Sequence, residues 1–163
     1  VGDATARASM QLAETCLQEE LPALVEHLRL RGEITTSFVI RAVAGGRIDF
    51  FASILAALSD LDEERICAII SGGRPAAITA LLRSAGLSDA THAPLIVAIE
   101  AWRAVAAGRK RMGAVEISAL MCEAVGGRQF AAANDDLAAL LRSIHLEFMR
   151  ESARDRLGAM PAA

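Results

Sequence analysis

Between Gly45-Gly46 and Ser59-Asp60 lies the most uniformly apolar stretch of the chain, Ile48 to Leu58. At about 100° per residue, Ile48, Phe51, Ile54, Leu55 and Leu58 fall on one stripe, and Phe50 and Ala57 widen it. Only Asp49, Ser53 and small alanines are left for water. A helix apolar over so much of its circumference must be covered on more than one side. Ile48 to Leu58 is the expected central helix.

The same periodicity, punctuated by Gly, Pro and capping residues, organises the flanks. Residues 3 to 30 read as helical, with Leu21, Leu24, Val25 and Leu28 at helical spacing. Pro22 predicts a break or bend near Glu20-Leu21, because proline suits a first turn and not a helix interior. Thr35 or Thr36 is placed to cap a short helix through Val43, which Gly45-Gly46 stops. After the central helix, Asp60 or Asp62 caps a helix holding Ile66, Ile69 and Ile70, ended by Gly72-Gly73. Pro75 opens the next, with Ile78, Leu81 and Leu82 inward. Ser88-Asp89 and Pro94 open a longer helix closed by Gly108, and Val115 to Val125 make another. Asn134 or Asp135 is expected to cap a long last helix carrying Leu137, Leu140, Leu141, Ile144 and Phe148. No segment sustains a period of two. The expectation is an all-α chain of seven to nine helices, a bundle or a HEAT-like stacked array, with no sheet.

Composition agrees. Of 163 residues, 53% are hydrophobic and 4% aromatic, with no tyrosine, which favours helices over strands. That length fits a single domain, here residues 1–163, and buries about 70% of the unfolded chain's surface on folding. The first residue is Val1 rather than Met, as expected for a fragment of a longer protein. A net charge of −3 argues against a general polyanion binder. Cys16, Cys67 and Cys122 are odd in number and scattered, without C-x-x-C, so free thiols in a reducing cytoplasm are expected. No apolar run approaches the 18 or so residues of a membrane span, and no stretch of these residues reads as a signal peptide.

The triplet Gly-Gly-Arg recurs at positions 45–47, 72–74 and 126–128. It is either a faint internal repeat or a helix stop used three times. An anion site at a helix start is a third use, but no G-x-G-x-x-G or Walker pattern accompanies it.

The run Leu30-Arg31-Gly32-Glu33-Ile34-Thr35, followed by Arg41-Ala42, Gly46, Asp49-Phe50-Phe51, Ala56-Ala57-Leu58, Leu81 and Ala85-Gly86-Leu87, resembles a bacterial helical family filed as domain of unknown function 2336. The resemblance spans residues 20 to 100. It implies a helical, repeat-like protein of the cytoplasm, and it brings no activity and no catalytic residues.

His27, His92 and His145 form no H-E-x-x-H and no E-x-x-H pair, so no metal or cofactor is expected. His92, beside Pro94, reads as a surface or capping residue, and His145 as a hydrogen-bonded residue at the edge of an apolar stripe. His27 lies about 110° from its helix's apolar stripe, hence exposed, with Arg31 one turn on. That pairing would suit a phosphotransfer site. Cys67, between Ile66 and Ile69, reads as buried and inert. The acidic pairs Glu19-Glu20, Glu63-Glu64 and Asp135-Asp136 sit at helix starts, where capping and dipole roles explain them. Thr36 to Leu58 has the outline of a helix-turn-helix, but its second helix would offer Phe50, Phe51, Ile54 and Leu55 to base edges. The Arg109-Lys110-Arg111 cluster, with Arg103 nearby, reads as a solvated inter-helix turn.

With no catalytic set, the expected function is a non-catalytic helical interaction or scaffold module. It would bind a protein partner or its own copy, and neither nucleic acid nor membrane. Leu140 and Phe148 are the candidate interface positions. The alternative is a phosphotransfer-like or ligand-sensing signalling domain that uses His27.

Overall fold

Capping chemistry sets most of the helix boundaries. A computed structural model describes residues 18–126 and 132–161. A 3₁₀ turn, Gln18–Glu20, leads into α1 (Leu21–Leu30), α2 (Thr36–Ala44), α3 (Ile48–Leu58) and α4 (Glu63–Gly72). There follow α5 (Pro75–Ser84), α6 (Asp89–Ala106), α7 (Ala114–Gly126) and α8 (Ala132–Gly158). Among the described residues there is no strand, and the fold is all-α. The helix expected over residues 3 to 17, Cys16, and Gly127-Arg128 lie outside them.

Pro22 falls in the first turn of α1, so the chain starts a helix there instead of bending one. Thr35 caps α2, its Oγ1 accepting from Phe38 N at 3.2 Å. Asp62 caps α4, accepting from Arg65 N at 2.8 Å. Pro75 opens α5. One boundary and the place of one proline differ from expectation. Helix α8 begins at Ala132, so positions 134 and 135 lie within its first turn and not at its N-cap. Pro94 is buried inside α6, which begins five residues earlier at Asp89. Pro94 is the sixth residue of the helix, past the four amides that lack intrahelical acceptors, so it removes the amide that would bond the Ala90 carbonyl.

Helices α6, α7 and α8 pack on one another as a three-helix bundle. A second group is built around α3, which meets α1, α2, α4 and α5. Helix α2 joins the two, touching α3 on one hand and α6, α7 and α8 on the other. Its residues Phe38 to Ala44 are all buried. The centre is therefore shared between α3 and the shorter α2. Phe38 of α2 meets Phe50 of α3 edge to face, ring centroids 5.5 Å apart, the arrangement aromatic quadrupoles prefer.

Phe51 and Leu55 are fully buried and Asp49 is exposed, as the stripe requires. Ser53, expected to face water, is buried. Helix α4 covers that side of α3, and Glu63 of α4 accepts a hydrogen bond from Ser53 Oγ at 3.2 Å. A small hydroxyl can enter a core when a neighbouring helix brings it a partner.

One charge lies deep in the centre. Arg41 of α2 is 5% exposed, and its guanidinium grips both carboxylate oxygens of Glu147 in α8, the longer contact being 3.3 Å. This two-pronged pair ties α8 to the hub.

Candidate functional site

The residues singled out for chemistry are dispersed. His27 is exposed on α1 as expected, but Arg31 is engaged by Glu33 at 2.8 Å. His92 is not a surface residue: it is buried, and its Nε2 donates to the Leu87 carbonyl at 3.0 Å. The α5–α6 turn folds over the ring and supplies that acceptor. His145 sits at the core boundary, its Nδ1 2.8 Å from Oγ of the buried Ser118. No group of three metal-ligating side chains occurs among the described residues.

Cys67 is exposed, contrary to its reading as a buried thiol. Helix α4 buries only Ile66 and Ile70, and Cys67 is turned about 100° from Ile66. Partial burial, then the nearby Glu63 carboxylate, push its thiol above the ordinary value, so it is a poor nucleophile at neutral pH. Cys122 is half-buried and raised too, burial being the main cause.

The basic cluster divides. Arg109, Lys110 and Arg111 are exposed in the turn after α6, as expected. Arg103 is not part of a solvated patch. Its guanidinium crosses to the end of α4, where Nη2 donates to Ile69 O at 2.7 Å, Nη1 to Gly73 O at 2.9 Å, and Nε to Ile70 O. A helix leaves its last carbonyls without partners. Arg103 satisfies them from another helix and neutralises the negative end of the dipole. Gly73 lets the chain turn there, since a Cβ on it would meet Ile69 O at 2.5 Å.

Beside this cap, α3, α4 and α6 enclose a cleft of about 650 Å³. Ile48, Ile70, Ile99 and Trp102 give it apolar walls, and Arg109 stands at its edge. The Trp102 indole is pinned, with Nε1 donating to Val43 O at 2.7 Å.

A second surface lies on α8. Leu137, Leu141 and Ile144 face the core. Leu140 and Phe148, the expected interface positions, are half-buried and packed against the core. The exposed apolar residues are instead Leu146, Met149 and Leu157. With the exposed Ala153 they fall in an arc of about 80° on the side of α8 away from the core. Arg150 and Arg154 border that arc on one side and Arg156 on the other, and Arg142 lies in line with it one turn before Leu146; all four are exposed. The signal was present in the sequence, but the half of α8 that leaves the core can be told from the buried half only once the bundle is assembled.

The second helix of the helix-turn-helix outline has Phe50, Phe51, Ile54 and Leu55 buried, so it offers no reading face to a DNA groove. No helix among the described residues is long and apolar enough to cross a membrane.

No curated protein and no solved structure matches the chain. A family model does, over residues 1–146, and its description is an uncharacterised protein conserved in bacteria, DUF2336. The match takes in α1 to α7 and the core-facing half of α8, and it stops at the start of the exposed stripe. The chain belongs to this bacterial family.

Proposed function

We propose that the chain is a non-catalytic helical interaction module that docks a protein partner's helix on the outer face of α8. The partner helix carries an apolar stripe with acidic edges. The observation that supports this reading is the exposed row Leu146, Met149, Ala153 and Leu157 bordered by Arg150 and Arg154 on one side and Arg156 on the other. A helix-on-helix seam needs an apolar row of this width, and its bordering charges select the partner. Arginine on both borders disfavours a second copy laid stripe to stripe, because cations would then face cations. The cytoplasm is the proposed setting, and the exposed Cys67 thiol is at home in a reducing compartment. Phosphotransfer at His27 has no observation in its favour, since the neighbouring Arg31 is engaged by Glu33.

Fluorescence anisotropy with a labelled synthetic helix, leucines along its seam and glutamates at its flanks, tests the proposal. Saturable binding is expected, weakened by salt and lost in the Met149→Glu/Leu157→Glu variant. A lysine-flanked version of the peptide should not bind. Three results would overturn the reading: no binding of the acidic helix, a stripe-dependent dimer in sedimentation, or binding of anionic vesicles in its place.

A further inference from the structure

We propose that the cleft between α4 and α6 binds a small organic anion, with an apolar body among Ile48, Ile70, Ile99 and Trp102 and a carboxylate at Arg109. This site is separate from the outer face of α8. Its volume, about 650 Å³, lies within the range of roughly 300–1,000 Å³ typical of small-molecule pockets.

The polar groups along the walls are already engaged within the protein. The Trp102 N–H bonds to Val43 O, the Ser71 hydroxyl donates to Cys67 O at 2.6 Å, and Arg103 holds the carbonyls at the end of α4. What remains for a ligand is apolar surface and one cation. Arg109 is exposed, and its guanidinium makes no hydrogen bond or ion pair among the described residues.

The charge of the ligand follows from its surroundings. No carboxylate lines the cleft, so a cationic head would find no partner. Lys110 and Arg111 follow Arg109 in the chain and are also exposed, which adds to the positive potential at that end. The carbonyls at the end of α4 would repel an anion, but Arg103 covers them. A neutral apolar ligand would fill the walls and leave Arg109 unused. An amphipathic anion uses both.

Trp102 is the chain's single tryptophan, so intrinsic fluorescence reports directly on the cleft. The full chain is titrated with decanoate, decanol and decylammonium. Decanoate should give a saturable change, with decanol about tenfold weaker and decylammonium weaker still. Arg109→Ala should weaken decanoate about five- to tenfold and leave decanol unchanged. Ala106→Phe, at an exposed cleft residue where folding tolerates the ring, should abolish binding of all three, with circular dichroism confirming that both variants fold. The proposal is overturned by equal affinity for decanoate and decanol, by indifference to either substitution, or by no saturable change with any probe.

Discussion

The indole Nε1 of Trp102 donates to the carbonyl oxygen of Val43 at 2.7 Å, joining α6 to the last turn of α2. Val43 is buried, and its carbonyl, among the last ones of the helix, accepts from Gly46 N at 3.1 Å as well as from the indole. Gly46, three residues on, has φ of 82°, and a Cβ placed there would stand 2.9 Å from Trp102 Cζ2. The indole therefore fits only while α2 ends on a glycine. One side chain caps the hub helix, fixes its exit and forms a wall of the cleft.

This coupling predicts a non-additive pair. Trp102→Phe keeps an aromatic ring but removes the side-chain donor to Val43 O, which retains Gly46 N, and should cost about 0.5–1.5 kcal/mol. Gly46→Ala places a side chain at positive φ and against the indole, and should cost about 1–3 kcal/mol. Phenylalanine lacks the atoms that the new methyl would meet. Gly46→Ala should therefore cost less in the Trp102→Phe background than alone, by about 0.5 kcal/mol or more in a urea-unfolding cycle. Simple additivity would show that the ring and the glycine do not touch in solution.

Arg103 and the Arg109 cluster should differ sharply, although five residues separate them. Arg103→Met removes the donors to the carbonyls of Ile70 and Gly73, while Ile69 O keeps its bond from Gly73 N, and should lower stability by about 1–3 kcal/mol. Replacing Arg109, Lys110 and Arg111 together by Ala should change it by less than about 0.5 kcal/mol, because they are exposed. Urea midpoints at unchanged slope measure both. Equal effects would mean that the end of α4 is satisfied by water and not by Arg103.

Periodicity alone made the helices legible, because each buried face repeats every three to four residues and each boundary has a glycine, proline or capping residue. Phe51, Leu55, Ile66 and Leu82 could be placed inside on that basis, and they are buried. What periodicity cannot tell is which helix covers a given face. Ser53 and His92 are polar, and only the arrival of Glu63 and the Leu87 carbonyl makes their burial tolerable. Cys67 fails in the opposite sense, since α4 has one covered side and its second side is bare. Arg41 stands in an otherwise apolar helix and is the anchor for Glu147, 106 residues away. The cleft was invisible for the same reason, because its walls come from three helices.

The N-terminus of α7 makes a prediction about pH. Glu116 reaches back to accept from Gly113 N at 2.8 Å, the return half of a capping box. That backbone hydrogen bond is the leading cause that holds its carboxyl below the ordinary value of 4.5, with the Arg156 charge a minor aid. A carboxylate depressed on folding adds stability above its unfolded pKa, and that stability is lost as pH falls through the folded pKa. Glu116→Gln keeps an acceptor but removes the charge. Wild type should therefore be the more stable of the two near neutral pH, and the gap should close as the pH drops below the ordinary 4.5. Urea unfolding of both proteins at a series of pH values would measure it, with Glu116→Ala as the control lacking any acceptor. A gap that stays constant with pH would assign the effect to packing, and one that widens in acid would reverse the sign of the argument.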